Sequence, residues 1–208
     1  TFLLCLMLIV NHTVFAMFYP GTIYLKDGNV VEAKVEPPLR PSDLYLSYSV
    51  TKGKLQSFKS EEVSSVLINL NKKQNVLFSY LNVRNSKNTR PIWVTLAYQA
   101  KKMRVYTSAN EYYISENNYL TLKTSNLNGN EGLSYYLIKK EEESLYKAFE
   151  YYEGAVENEV FYSNLAQYFE DEPRLSKSIL KKEYAWKDIY KIAEIYSTLK
   201  EYRELQSK

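Results

Sequence analysis

GTIYLKDGNVVEAKV, residues 21–35, decides the fold class of this chain. Ile23 and Leu25 share one face of an alternating run, Asp27 and Gly28 supply a preferred hairpin turn, and Val31, Ala33 and Val35 resume the alternation. Strand side chains point to opposite faces with a period of two, so the pattern specifies a half-buried β-hairpin.

Outward from this hairpin, Pro37, Pro38 and Pro41 interrupt pairing, because proline has no amide proton to give to a ladder. Leu44, Leu46, Tyr48 and Val50 then alternate as far as a turn at Lys52, Gly53 and Lys54. Strand-like runs follow at residues 55–58, 63–70, 76–83, 92–98, 103–107, 112–115, 119–123 and 135–139, with polar loops at 85–90 and 125–132. Many short strands with few helical patterns predict a mostly antiparallel sheet, curled or closed into a roll or barrel.

The period changes near Glu141. Glu142, Glu143, Leu145, Phe149 and Tyr152 follow helical spacing, and the pattern continues over 156–169 after a break at Gly154. Pro173 forces a turn near 170–172, and a helix over 174–182 is expected to bury Leu175, Ile179 and Leu180. The strongest helical segment places Trp186, Ile189, Ala193, Tyr196 and Leu199 three or four apart, with Ile192 beside them. The chain therefore reads as α+β: a β-rich domain over 17–140 and a helical C-terminal region over 141–208.

Residues 1–16 read as a removable export signal. Phe2 to Val10 is an unbroken apolar run, too short to span about 30 Å of hydrocarbon, and Val14 and Ala16 supply the compact residues that signal peptidase needs. A buried N-terminal strand is the competing reading. The lack of a basic segment before Phe2 points to residues missing ahead of Thr1. Cleavage after Ala16 removes Cys5 and His12, the only cysteine and histidine. The mature chain then has no disulfide, no thiolate or imidazole nucleophile and no usual zinc ligand, so neither a metal site nor a cofactor is expected. No later run approaches 18 apolar residues, which predicts no transmembrane span in the mature form. The 27 Lys and Arg against 24 Asp and Glu include no long basic run, which argues against nucleic-acid binding.

No G-x-S-x-G elbow or glycine-rich phosphate loop is present, and Ser178 to Lys181 matches S-x-x-K only formally. Glu170, Asp171 and Glu172 lack calcium-loop spacing and read as a solvated helix end; Glu141, Glu142 and Glu143 read as first-turn acids of a helix. The chain holds 21 tyrosines, all beyond residue 16. Adjacent tyrosines in a strand must point to opposite faces, so the pairs Tyr112–Tyr113 and Tyr135–Tyr136 are the candidate binding residues, with strand and helix packing as the plainer reading.

The G-x-I-x-L-x-D-G hairpin at 21–28, the R-V-Y segment at 104–106 and the Y-F-x-D-x-P-x-L run at 168–175 together resemble uncharacterised exported proteins of the Bacteroidota type. Those proteins often carry a cysteine before that proline, where this chain has Glu172. The resemblance implies an envelope setting, periplasmic or outer, and assigns no active residues. The expected function is non-enzymatic binding or assembly, with an envelope protein or a glycan as partner. A barrel holding a small ligand or glycan in a ring-lined cavity is the alternative. A carboxylate-based glycan hydrolase with two acids facing a cleft ranks third.

Overall fold

The hairpin read from residues 21–35 forms as β1 (Tyr19–Leu25) and β2 (Val30–Val35), paired antiparallel with Ile23 opposite Val31. Gly28 turns the chain at φ 91°, where a side chain would be strained, and the Asp27 carboxylate accepts the Asn29 amide at 2.9 Å. Gly21 serves a different need: a Cβ there would stand 2.7 Å from the Leu67 carbonyl oxygen of the neighbouring strand.

The computed structural model describes residues 17–50, 54–84, 91–123, 132–151 and 158–206. The export signal and the loops predicted at 85–90 and, apart from Gly132, 125–132 lie outside the described residues. The remaining expected strands all appear, as β3 (Tyr45–Ser49), β4 (Gln56–Lys59), β5 (Val63–Asn71), β6 (Gln74–Val83), β7 (Ile92–Gln99) and β8 (Met103–Ala109), then β9 (Glu111–Ile114), β10 (Leu120–Lys123) and β11 (Leu133–Lys139).

A further strand, β12 (Ser144–Tyr151), occupies a stretch whose spacing predicts a helix. Its register against β11 slips by one residue, with Tyr135 opposite Phe149 but Tyr136 opposite Lys147. That bulge puts Leu145 and Phe149 on opposite faces of one strand, each buried in a different core. A four-residue interval that looks helical is thus a strand with one extra residue, and the strand-rich portion runs to Tyr151 rather than ending at 140. Glu141 to Glu143 are hairpin-turn residues, not a helix start; Glu142 accepts the Lys139 amide at 3.0 Å and the Tyr168 hydroxyl at 2.6 Å, and pairs with Arg84 at 3.0 Å.

The large sheet runs β12-β11-β8-β7-β6-β5-β1-β2-β3-β4, and β12 also pairs with β6, Ser144 opposite Asn82 and Leu145 opposite Val83. This second pairing closes β6, β7, β8, β11 and β12 into a ring. Around five strands that alternate in direction, the first and fifth point the same way, so closure has to be parallel, as it is. Val94, Tyr106, Tyr136, Ile138 and Leu145 fill the ring interior, none more than 5% exposed. The other half of β6 pairs with β5, and that flanking sheet packs Ile23, Val66 and Phe78 beneath Tyr112 of the β9–β10 hairpin. At its far end β4 carries the free edge; its Lys59 amide is taken by the Glu62 carboxylate at 2.8 Å.

Three helices cover the outside of the ring: α1 (Glu159–Tyr168), α2 (Pro173–Leu180) and α3 (Ile189–Gln206). Asn158 caps α1 by accepting the Phe161 amide at 2.9 Å, and Pro173 opens α2, where its missing amide costs nothing. Leu165, Phe169, Leu175, Ile179, Ile192 and Tyr196 pack against Val105 and Leu137 of the ring. Leu180, expected inward, is 54% exposed because it stands about 100° around the helix from Ile179. No helix among the described residues is long and apolar enough to cross a membrane.

Between helices and ring lies a charged hub that overturns the solvated reading of Asp171 and Glu172, while Glu170 is exposed as expected. Asp171 receives Lys139 and Lys200 at 2.8 Å each and the Tyr196 hydroxyl at 2.9 Å, while Glu172, 1% exposed, pairs with Arg203 at 3.1 Å. Lys139 also donates to the Tyr168 carbonyl at 2.7 Å and sits 4.5 Å from that residue's ring centre. These contacts tie β11 to the α1–α2 turn and to α3. Burial pushes the Asp171 carboxyl upward, but the hydrogen bonds from Lys139, Lys200 and Tyr196 outweigh it and hold the group at about 2.

Leu145→Ala removes a fully buried side chain at the ring's closing pair and is expected to cost about 2–5 kcal/mol in urea unfolding. Asp171 titrates near 3.9 when unfolded and lower when folded, so the stability it adds is complete above about pH 4 and lost as pH falls towards about 2. Acid titrations of unfolding midpoints should therefore show a shallower decline over that window in Asp171→Asn, which should also be the less stable protein at pH 7.

Candidate functional site at the mouth of the barrel

The strand register builds two layers with polar groups at one end of the ring, the inner of them completing its packed interior. Across β8, β11 and β12, Tyr106, Tyr136 and Lys147 stand in one row, and Ser108, Ser134 and Glu150 in the next row outward. Apolar residues below and polar residues at the rim give the ring a stopper and a wet mouth. At this end lies a cleft of about 490 Å³ whose lining includes Ser108, Ser134, Tyr136, Lys147 and Glu150. Arg84 at the end of β6 and Ile92 at the start of β7 close one side, and Asn110 and Gly132 the other.

Five of the polar groups have partners that hold them. The Ser108 and Tyr136 hydroxyls meet at 3.2 Å inside the protein, and Lys147 pairs with Glu150 at 2.5 Å across the bulge. Asn110 and Glu150 both approach Gly132 at the cleft wall, where a Cβ would meet Asn110 Oδ1 and Glu150 Oε1 at 3.4 Å, an ordinary contact distance. Arg84 is anchored on its outer side by Glu142.

Residues 36–44 form a strap over the remaining side, and Pro41 and Ser42 from it line the cleft. Its prolines cannot donate hydrogen bonds, but its carbonyls accept them from three places: the Tyr112 amide reaches Leu39 at 2.7 Å, the Trp93 amide Pro41 at 2.9 Å and the Ser60 amide Leu44 at 2.8 Å. Asp43 ties the strap to itself by accepting the Leu39 and Arg40 amides. The Trp93 indole, fully buried, donates to the Asp43 carbonyl at 3.1 Å and to the Ser60 hydroxyl at 3.0 Å.

Strand alternation splits both tyrosine pairs across their strands, and the four rings have different fates. Tyr136 lines the cleft. Tyr112, 3% exposed, lies beneath the strap with its hydroxyl donating to the Trp93 carbonyl at 2.8 Å. Burial pushes that hydroxyl well above the usual phenol range, and the neighbouring Tyr136 and Asp43 add to the effect. Tyr135 lies under the helices, stacked on Phe149 at 4.7 Å; burial and Tyr190 raise its hydroxyl to about 12. Tyr113 is 54% exposed on the outside of the small hairpin. The structure thus brings Tyr136 and Tyr112 to one end of the barrel and leaves Tyr113 and Tyr135 elsewhere.

Ser108, Ser134, Lys147 and Glu150 were not flagged by motif or spacing, since they come from three strands and meet only through pairing. A signal for two of them exists: Ser108 and Ser134 continue the inward phase of Tyr106 and of Tyr136, where an apolar residue would be the default.

Among the described residues the ring interior is filled by Val94, Tyr106, Tyr136, Ile138 and Leu145, and the cleft at its end is lined by hydroxyls, an amide and both signs of charge. Among the described residues Glu150 is the one carboxylate on that lining. Among the described residues no group of three potential ligands could hold a metal ion. Comparison with protein-family models, with curated proteins and with solved structures finds no match.

Proposed function

We propose that this chain is a non-enzymatic binding protein of the bacterial envelope, exported through residues 1–16, which holds the hydroxyl-rich end of a glycan in the mouth of its barrel. The observation that carries this reading is the double polar layer, Ser108, Ser134 and Glu150 over Tyr136 and Lys147, set by strand register at the rim of an apolar core. A sugar offers alternating donors and acceptors on one ring, and serine and tyrosine hydroxyls with a lysine–glutamate pair answer both kinds. Val83, Ile92 and Pro41 supply the apolar wall that a sugar's C–H faces need. The cleft volume of about 490 Å³ falls in the range of roughly 300–1,000 Å³ usual for small-ligand sites.

Binding rather than turnover is favoured by the pairing of the charged groups. Lys147 and Glu150 neutralise each other, and Arg84 is held by Glu142, so the charged groups among the described residues of this lining are all paired. The envelope setting rests on the apolar leader and on the likeness of residues 21–28, 104–106 and 168–175 to exported proteins.

The test is an array of mono- to hexasaccharides of neutral, N-acetylated amino and uronic-acid sugars, probed with the wild type and with Ser134→Leu, whose larger side chain fills the mouth. Retention by the wild type and at least tenfold weaker retention by the variant are expected. Absence of wild-type binding anywhere on the array, or equal binding by both proteins, rules the reading out. For the export step, mass spectrometry of the protein recovered from the envelope of an expressing bacterium is expected to find Met17 as the first residue; an intact residue 1–16 segment on a cytoplasmic product would refute it.

A further inference from the structure

We infer that the ligand is an oligosaccharide whose second sugar unit stacks on Tyr45 in a neighbouring cleft; this inference rests on the glycan reading of the barrel mouth. The second cleft, about 290 Å³, is lined by Leu44, Tyr45, Lys59, Glu61, Tyr80 and Pro91. Its rim touches that of the mouth at two points of the chain. Pro41 and Ser42 of the strap face the mouth while Leu44 and Tyr45, just beyond them, face the second cleft. Ile92 lines the first and Pro91 the second, and adjacent Cα atoms are only about 3.8 Å apart. A single sugar unit cannot occupy both clefts, whereas a chain passing over this rim can.

Tyr45 has the attributes of a stacking platform. It is 60% exposed although Leu46 and Tyr48, its neighbours on the opposite phase of β3, are buried. The ring therefore stands on the solvent face of the sheet, and unlike the exposed Tyr113 it lines a cleft. Its backbone is fixed on both sides: Lys59 of β4 stands opposite it, and the Leu44 carbonyl before it accepts the Ser60 amide at 2.8 Å. A side chain on an ordered strand presents its ring with little further loss of freedom on binding. Lys59 and Glu61, 3.8 Å apart and mostly exposed, flank the ring with one donor and one acceptor for hydroxyls.

The strap thus divides two subsites of different chemistry. The mouth recognises a unit by hydrogen bonds, and the Tyr45 cleft holds the next by its C–H face. Chain length should matter in consequence, and so should the order in which variants lose binding.

The same saccharide array, followed by chemical-shift titration of the series that binds, separates the two claims. Affinity is expected to rise at least tenfold from the monosaccharide to the di- or trisaccharide, and Tyr45→Ala is expected to erase that gain while leaving monosaccharide binding unchanged. Ser134→Leu should weaken every length. Equal affinity for one unit and for several, or a length gain that survives Tyr45→Ala, overturns the second subsite while the mouth reading stands on the Ser134→Leu result. Failure of every saccharide to bind overturns both. Because Tyr45 is mostly solvent-exposed, the alanine variant keeps the fold, and an unchanged urea midpoint verifies that.

Discussion

Backbone amides and carbonyls at a sheet edge must find partners, and this protein meets that demand on one side by returning β12 to β6. The barrel and its mouth follow from that short parallel contact. It defines an inside, and it fixes which phase of each strand faces inward. It also brings the ends of β6, β8 and β11 to the same rim as the start of β7. The contact covers only Ser144 and Leu145, with the Arg84 amide adding one bond to the Leu145 carbonyl at 2.7 Å, so its strength comes from the packed residues behind it. Leu145 takes part in both, as a paired backbone and as a fully buried side chain.

Closure alone would leave the ring's outer surface and the flanking sheet uncovered. The helices cover the first with an apolar core, and polar contacts join them to the ring at several points, among them the Asp171 and Lys139 hub, the Tyr168 hydroxyl on Glu142 and the Lys102 amide on the Ser197 hydroxyl. The β9–β10 hairpin covers the second, and the strap joins both by way of Trp93. Trp93 belongs to the ring through its backbone and to the flanking core through its side chain, and its indole proton satisfies the strap. A change at the strap is therefore felt in the cleft, since Pro41 and Ser42 are both bonded structure and cleft wall.

Much of this was legible in the sequence where the signal is local. Period-two alternation and turn residues located eleven strands, because each needs only its own neighbours to declare its phase. The strand that local pattern does not declare, β12, has a bulge that sets Leu145 and Phe149 on opposite faces at a helix-like four-residue interval, and it takes part of its pairing from β6, far earlier in the chain. Glu172 misled in the same way: three acids before a proline look solvated until Arg203 and Lys200, some thirty residues on, arrive to pair them. The mouth was half visible. Tyr136 stands out in the sequence by its neighbour rather than by its surroundings, Ser108 and Ser134 carry only a phase signal, and Tyr45 shows as an aromatic on the polar phase of its strand.

The β4 edge has a consequence of its own. A strand of four residues ending the sheet is a docking template for any other extended chain, including a second copy of this protein. The alternation of the ladder turns the Lys59 amide away from β3, and Glu62 occupies it from within the same chain. A would-be intruder must displace an anion already in place before it can lengthen the sheet, and it finds few further groups to pair with. In a crowded compartment that arrangement favours separate molecules over fibres.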